Sequence, residues 1–141
     1  NAMPPVTGQR RVLVADDFPE SAELLARLLR QDGNEVRIAL NGLEAVETAE
    51  VFQPDIVLLD IAMPKLNGYE AASKIREQPW GKKAILIALT GWGQYQDRRR
   101  TKEAGFDVHL TKPVNYQAIA KLLEDLTGDA GSGERSAEQV L

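Results

Sequence analysis

The chain has 141 residues, of which 43% are hydrophobic and 27% charged, and its formal net charge is −4 at pH 7. This length and composition are typical of one globular domain and exclude disordered, collagen-like and coiled-coil chains. Because there is no cysteine, disulfides, zinc–thiolate sites and cysteine nucleophiles are excluded. The single histidine, His109, argues against His-rich metal sites and Ser-His-Asp triads. The acidic balance disfavours nucleic-acid binding, which depends on cations that neutralise phosphates.

The two ends of the chain differ in composition from its centre. The start, Asn1-Ala2-Met3-Pro4-Pro5, lacks the pattern of a signal peptide, and Met3 suggests that Asn1 and Ala2 are a tag remnant. No apolar run approaches the roughly 20 residues of a membrane span, so we expect a cytoplasmic protein without membrane contact. The Gly- and Ser-rich end is typical of a linker. We therefore predict a lead over 1–8, one domain over 9–126 and a linker or tail over 127–141.

Five short runs rich in Val, Ile and Leu predict buried strands, since each is bounded by turn-forming or charged residues. They cover residues 11–15, 35–39, 55–59, 84–89 and 107–110. The first, third and fourth runs are continuously apolar, as in strands that are covered on both faces. The second and fifth alternate between apolar and polar residues, which favours the edges of a sheet.

Segments with helical periodicity separate these runs. The first opens at Ser21 or at the Phe18-Pro19 step and stops at Gly33. Its predicted apolar stripe is formed by Leu24, Leu25, Leu28 and Leu29.

The other four predicted helices differ in how clearly they are marked. The second ends before Pro54, the third starts near Gly68, and the nearly all-polar fourth runs from about Gln94 to Ala104. The fifth has the clearest amphipathic pattern, which is formed by Ile119, Leu122, Leu123 and Leu126. Strands that alternate with helices predict an α/β protein with a doubly wound parallel sheet. Edges at strands two and five fit the flavodoxin-like (βα)5 fold, in the strand order 2-1-3-4-5.

Reactive side chains lie just past four of the five predicted strands. They are Asp16 and Asp17 after the first, Asp60 after the third, Thr90 after the fourth and Lys112 after the fifth. Ligands of open parallel sheets bind outside the carboxyl ends of the strands. We therefore expect three carboxylates, one hydroxyl and one ammonium group to converge on one rim.

This set of groups predicts phosphoryl chemistry with a divalent cation. Three close carboxylates repel one another unless a cation is present, and oxygen ligands without His or Cys favour Mg²⁺ or Mn²⁺ over zinc. A carboxylate beside such an ion can act as a nucleophile and form an aspartyl phosphate. The ion and Lys112 would neutralise charge on the transferring group, and Thr90 is placed to donate to a phosphoryl oxygen.

The residues at these strand ends resemble the receiver domain of two-component response regulators, over roughly residues 9 to 126. The matching elements are Val-Leu-Val-Ala-Asp16-Asp17, Leu-Leu-Asp60-Ile-Ala-Met63-Pro64-x-x-x-Gly68, Ala-Leu-Thr90 and Lys112-Pro113. Three further segments are most similar to receivers appended to hybrid sensor histidine kinases. They are Gly91-Trp92-Gly93-Gln94, Asp97-Arg98-Arg99-Arg100 and Ala104-Gly105-Phe106-Asp107.

The resemblance implies a metal-assisted phospho-acceptor site. Asp60 is then the phosphorylated residue, which receives its phosphoryl group from a sensor histidine kinase or a histidine-phosphotransfer protein. Asp17 and Asp60 would ligate Mg²⁺ directly, Asp16 mainly through water, and Ala62 through its backbone carbonyl. Lys112 would pair with the phosphoryl group.

The resemblance also implies a switch rather than a turnover enzyme. Thr90 would shift toward the phosphoryl group, and together with His109 it would change partner binding on the surface of the fourth helix, fifth strand and fifth helix. A homodimer through the fourth-helix and fifth-strand face is an open alternative. The Lys112-Pro113 bond is expected to be cis, as is usual in the family.

Three positions depart from the family pattern. His109 stands where Tyr or Phe is usual, which leaves open whether it moves with Thr90 or simply faces solvent at the edge of the sheet. Ala62 has no polar side chain, and Trp92 is large and mostly apolar, so neither holds an attacking water well. We therefore predict slow autodephosphorylation.

Two other functions are alternatives to the switch. A degenerate receiver would act only as a protein-interaction module, and the changes at His109 and Ala62 keep that alternative open. An aspartyl-phosphate hydrolase needs a second acid two residues after the nucleophile, where Ala62 stands, and usually a cap insertion. The basic cluster of the fourth helix, Arg98-Arg-Arg100 with Lys102, is interpreted as a solvated face or a partner-docking face.

Overall fold

A computed structural model of the chain describes residues 10–91 and 98–127. The strands are β1 (Arg11–Ala15), β2 (Glu35–Ala39), β3 (Ile56–Asp60), β4 (Ile85–Thr90) and β5 (Val108–Thr111). The helices are α1 (Pro19–Gln31), α2 (Gly42–Phe52), α3 (Gly68–Glu77), α4 (Arg98–Glu103) and α5 (Tyr116–Thr127), and a 3₁₀ turn, Trp80–Lys82, precedes β4. The predicted lead, the tail beyond Thr127 and the predicted start of the fourth helix at Gln94 lie outside the described residues.

The five strands form one parallel sheet in the order β2-β1-β3-β4-β5, which confirms the predicted flavodoxin-like order and the predicted edges. Because successive side chains of a strand point to opposite faces, the sheet separates two apolar clusters. One cluster joins the sheet to α2 and α3, and the other joins it to α1 and α5.

Strands β3 and β4 each reach one residue further than their apolar runs predict. Asp60 and Thr90 are therefore the last residues of their strands rather than the first residues beyond them. Asp60 pairs with Leu89 in the ladder, and Thr90 pairs with Thr111. The cause is tertiary, since a neighbouring strand supplies the partner that extends each ladder past the apolar residues.

The apolar stripe predicted for α1 is only partly buried. The helix starts at Pro19, which is one of the two predicted starts. Of the predicted stripe only Leu29 is fully buried, and the other fully buried residues of the helix are Ala22 and Ala26. Leu24 is 56% exposed. Small alanines let α1 approach the sheet closely, so the buried face is turned away from the stripe that the leucines alone indicate.

Helices α3 and α5 each bury an apolar face against the sheet. In α3 these include Ala72 and Ile75, and in α5 they include Ile119, Leu122 and Leu123, whereas the side chain of Leu126 is outside the described set. No helix among the described residues is long and apolar enough to cross a membrane.

Candidate phospho-acceptor site

Three carboxylates meet at the carboxyl rim of the sheet. One oxygen from each of Asp16, Asp17 and Asp60 lies within 4.8 Å of the other two. Asp16 and Asp60 are buried, at 4% and 5% exposure, and Asp17 is exposed. All three residues lie at the rim that the sequence predicts for them, because β1 and β3 are adjacent parallel strands that end on the same side.

The turn after β1 holds Asp16 in place. Its backbone N–H donates to Ala39 O at 3.0 Å, and its Oδ1 accepts a hydrogen bond from the N–H of Phe18 at 2.9 Å. Phe18 is the N-cap residue of α1 but offers no capping side chain. The turn therefore leaves Asp16 Oδ2 free of these local bonds and directed to Lys112, which it meets at 3.1 Å.

Asp60 is held through both of its carboxylate oxygens. Its Oδ1 accepts from the N–H of Ala62 at 3.1 Å, and its Oδ2 accepts from Lys112 Nζ at 2.9 Å. Ala62 therefore contributes a backbone donor to the carboxylate, while its methyl side chain is exposed. Trp92, which the sequence placed beside the site, lies outside the described residues.

Lys112 reaches the rim from directly after β5. Its backbone N–H donates to Thr90 O at 2.7 Å, and the Lys112-Pro113 peptide bond is cis, which confirms the prediction. The ammonium group bonds Asp16 and Asp60 together, so it offsets the repulsion between two buried carboxylates.

Burial and charge act in opposite directions on these groups. Burial raises the pKa of Asp60, and the hydrogen bond and charge of Lys112 offset this only in part, so the pKa stays above its usual value. Burial alone would lower the pKa of Lys112, but the hydrogen bonds that its ammonium group donates to Asp60 and Asp16 outweigh burial, so the pKa of Lys112 is raised. The rim thus favours a charged lysine between two acidic groups.

The two predicted switch residues lie on neighbouring strands. Thr90, 5% exposed, donates from Oγ1 to Leu110 O at 3.4 Å. His109 is half-buried opposite Ala88 of β4 and lines a cavity of about 300 Å³ with Asn115. Their movement on phosphorylation stays a prediction.

Two features that the sequence analysis missed fix α3 beside Asp60. Asn67 and Glu70 form a capping box, and the N–H of Gly68 donates to Ile61 O at 2.8 Å. A Cβ atom at Gly68 would lie 2.5 Å from Asp60 O, so only glycine allows this approach. The spacing Asn-x-x-Glu before a helix was the signal that could have identified the box.

A cavity of about 550 Å³ opens beside the site between α1 and α5. Asp16 and Lys112 line its charged end. Its other lining is mainly apolar and includes Leu24, Leu25, Leu28, Pro113 and Val114. The partly exposed leucines of α1 therefore face a groove that is continuous with the carboxylates.

The donor set fits a hard divalent cation. All three clustered ligand atoms are carboxylate oxygens, and neither His nor Cys is among them. Mg²⁺ is typically held by one or two carboxylates together with waters and phosphate oxygens, which suits a rim where one of the three carboxylates is exposed.

Comparison with known proteins decides the family. The sequence model for the response regulator receiver domain matches residues 12–124. The chain belongs to the response regulator receiver family. Receivers are phospho-accepting signalling switches rather than turnover enzymes. Among curated relatives, the chemotaxis protein CheY of Halobacterium salinarum is 34% identical over 117 residues, which are 83% of this chain and 96% of that protein.

Two solved receivers are similar in both sequence and fold. The receiver domain of the sensor histidine kinase PA1611 from Pseudomonas aeruginosa, with magnesium coordinated in its active-site cleft, is 31% identical with a TM-score of 0.75, covering 83% of this chain and 96% of that one. The receiver domain of Saccharomyces cerevisiae Ssk1, in complex with the histidine phosphotransfer protein Ypd1, is 28% identical with a TM-score of 0.75, covering 83% and 88%. Since one relative is a chemotaxis protein and another a kinase receiver, the closer likeness to hybrid-kinase receivers stays a prediction.

Proposed function

We propose that this receiver accepts a phosphoryl group on Asp60 from a phosphohistidine and changes its binding to partners as a result. The observation that carries the proposal is the bond of one lysine, Lys112, to two buried carboxylates beside the exposed Asp17. This arrangement offers a nucleophile, a fixed cation and further oxygen ligands at one open rim.

In the proposed transfer, a carboxylate oxygen of Asp60 attacks the phosphorus of the donor phosphohistidine. The new bond is P–O, the bond that breaks is N–P, and the imidazole leaves with the electron pair and takes up a proton. Lys112 moves its hydrogen bond from the carboxylate to the phosphoryl oxygens, and the N–H of Ala62 stays available as a donor. Thr90 supplies a hydroxyl donor from the end of β4.

We propose that Asp16, Asp17, Asp60 and the backbone carbonyl of Ala62 hold Mg²⁺, with Asp16 acting mainly through water. When bound, the ion supplies positive charge that offsets the charge of the phosphoryl group. The magnesium-bound receiver of PA1611 supports this choice of ion.

The apolar groove beside the rim favours a protein as the donor. A histidine kinase or phosphotransfer protein with apolar side chains near its phosphohistidine would bury Leu24 as it delivers the phosphoryl group. The groove is continuous with the site through Asp16 and Lys112, and the complex of the Ssk1 receiver with Ypd1 supports a phosphotransfer partner. A cytoplasmic location belongs to this proposal, and dimerisation through the α4 and β5 face stays a prediction.

The acceptor is tested by intact mass after incubation with acetyl phosphate and Mg²⁺. The native protein should gain one phosphoryl group, and the gain should vanish in Asp60→Asn and without Mg²⁺. Asp125→Asn, the same change on α5, should leave it intact. If acetyl phosphate gives no adduct, fluorine NMR with Mg²⁺ and beryllofluoride decides whether Asp60 holds a phosphoryl analogue. A protein that takes neither would be an interaction module and would contradict the proposal.

The donor is tested with two matched surface variants. Leu24→Asp should slow transfer from a phosphorylated phosphotransfer protein while leaving the acetyl phosphate reaction unchanged. Val51→Asp changes another exposed apolar residue, 77% exposed near the end of α2, and should affect neither reaction. Equal slowing by both variants would contradict docking at the groove.

A further inference from the structure

The groove between α1 and α5 has the size and the lining of a small-molecule site. Its volume of about 550 Å³ lies within the range of about 300–1,000 Å³ that is usual for ligand pockets. One wall is formed by Leu24, Leu25 and Leu28, which lie on one face of α1 because of their i, i+1, i+4 spacing. Val114 lies on the opposite wall. A chain of methylene groups would therefore meet apolar surface on both sides.

The two ends of the groove differ. At the rim, Asp16 and Lys112 line it, and the lysine side chain is 30% exposed, so the ammonium group can be reached from the groove. At the other end, the hydroxyl of Tyr116 lies 3.1 Å from Leu28 O and joins α5 to α1. The groove is therefore open to the phospho-acceptor at one end and closed by a helix contact at the other.

This shape fits a molecule with an anionic head and a straight apolar tail. Lys112 attracts the anion, and the Mg²⁺ that we propose at the rim offsets repulsion from Asp16. Away from the rim, the lining residues that the structure describes carry no charge. A polar tail would lose its hydrogen bonds to water there, whereas an alkyl tail has none to lose. The groove therefore favours an amphipathic anion.

From this geometry we infer that the groove selects acyl phosphates with a hydrocarbon chain, such as butyryl and hexanoyl phosphate, over acetyl phosphate as small-molecule donors to Asp60. The inference deepens the proposed function and rests on it for the acceptor. The phosphoryl end lies between Asp60 and Lys112, and the acyl chain lies along Leu24 and Leu28. A protein donor uses the same groove, so the two kinds of donor exclude each other.

The transfer balances without a further reactant. A carboxylate oxygen of Asp60 attacks phosphorus, the P–O bond to the acyl group breaks, and the acyl oxygen leaves with the electron pair as a carboxylate. The attacking and leaving oxygens lie roughly in line. Because Asp60 is buried at the rim, the leaving group emerges on the open side, where the groove begins.

Chain length separates binding in the groove from intrinsic reactivity. Added methylenes are remote from the carboxyl group, so the leaving carboxylate is almost equally basic along the series. Full burial of one methylene strengthens binding by about a factor of four, and half burial by about a factor of two. Hexanoyl phosphate has four more methylenes than acetyl phosphate. At low donor concentration it should therefore phosphorylate Asp60 about 5- to 20-fold faster.

The preference is tested by intact mass after timed incubation with acetyl, butyryl and hexanoyl phosphate at equal low concentrations, with Mg²⁺. The rate should rise along the series. Leu24→Gln should lower the ratio of the hexanoyl rate to the acetyl rate by about 3-fold or more. Val51→Gln, the same type of change at an exposed residue of α2, should leave the ratio unchanged. Both donors carry the same charge, so the ratio does not report a general effect on the acceptor.

Binding is tested without any reaction by methyl NMR of the whole chain with Mg²⁺. Pentylphosphonate has a P–C bond in place of the acyl bond and cannot transfer its phosphoryl group. It should shift the methyl signals of Leu24, Leu25 and Leu28 and bind about 5- to 20-fold more tightly than methylphosphonate. Equal affinities, or shifts confined to residues outside the groove, would overturn the inference.

The outcomes separate the inference from the proposed function. Equal rates for the three acyl phosphates, or a ratio that Leu24→Gln and Val51→Gln change equally, would show that the groove does not select the donor although Asp60 accepts. If neither acetyl phosphate nor beryllofluoride reacts with Asp60, the proposed function and the donor are both wrong. The phosphonate titration then still decides whether the groove binds an alkyl chain.

Discussion

Lys112 Nζ donates a hydrogen bond to Asp60 Oδ2 at 2.9 Å, which joins two residues that are 52 positions apart in the sequence. The same ammonium group meets Asp16 at 3.1 Å. The carboxylates are nearly inaccessible, whereas the lysine side chain is 30% exposed. One cation therefore bridges two buried carboxylates and offsets the repulsion between them.

Removal of this cation should make folding depend more strongly on magnesium. Lys112→Gln leaves two buried carboxylates without their shared donor, so without Mg²⁺ the free energy of unfolding should fall by about 1–3 kcal/mol. Saturating Mg²⁺ should restore part of this loss, and urea unfolding with and without Mg²⁺ measures both values. Lys121→Gln, an exposed lysine of α5, is the control. An equal loss at every Mg²⁺ concentration would show that Lys112 does not share the carboxylates with the ion.

Two leucines of α1 should differ sharply in their effect on stability. Leu29→Ala should lower the free energy of unfolding by about 2–5 kcal/mol because Leu29 is fully buried. Leu24→Ala should change it by no more than about 0.5 kcal/mol because Leu24 faces the groove. Chemical denaturation of both variants measures the difference, and a large loss for Leu24→Ala would mean that the groove is closed in solution.

Tyr116 should stabilise the contact between α5 and α1 until the pH becomes strongly alkaline. Its hydroxyl lies 2.6 Å from Asp32 Oδ2, to which it donates, and 3.1 Å from Leu28 O. Burial, followed by the hydrogen bond and charge of Asp32, raises the pKa of Tyr116 above its usual value. The folded state therefore holds the phenol proton more tightly than the unfolded chain does.

The pH dependence follows from that difference. The stabilisation is complete below the unfolded pKa of about 10 and is lost as the pH rises from there toward the folded pKa. Tyr116→Phe should cost about 1 kcal/mol at neutral pH and should lose less stability than the native protein between pH 9 and roughly pH 11. Parallel pH profiles for the two proteins would contradict the role of Asp32.

The phosphorylated protein should lose its phosphoryl group slowly because Ala62 offers no side chain to orient water. Ala62→Glu should shorten the lifetime of the mass adduct by up to about 100-fold, the lower end of what general base catalysis contributes. Ala62→Leu, which adds bulk without a polar group, should not shorten it. Release within seconds in the native protein, without a phosphatase, would refute this prediction.

The fold and the place of the site could be predicted from the sequence because both depend on local patterns. Runs of Val, Ile and Leu marked the strands, and strand texture indicated which ones lie at the edges. Since parallel strands end at one rim, the residues after them predicted that Asp16, Asp60 and Lys112 would meet.

The contacts that the sequence did not reveal are those between distant side chains. Leu24 has the spacing of a buried residue, but the alanines of α1 decide which face approaches the sheet. Arg76 reads as an ordinary helix residue, and only the folded chain brings it to Gly105, just after α4. Strands β3 and β4 likewise extend to the polar residues Asp60 and Thr90 because neighbouring strands supply their pairing partners.

The sheet divides the core into two clusters, and this division affects how the sequence of such a protein can diverge. Substitutions in the cluster beneath α1 and α5, such as at Ala26, share no side-chain partners with those beneath α2 and α3, such as at Ala71. Effects of distant, unconnected sites on stability are additive. The helices on one face of the sheet can therefore accumulate mutations independently of the helices on the other face, while the carboxylates at the rim stay unchanged.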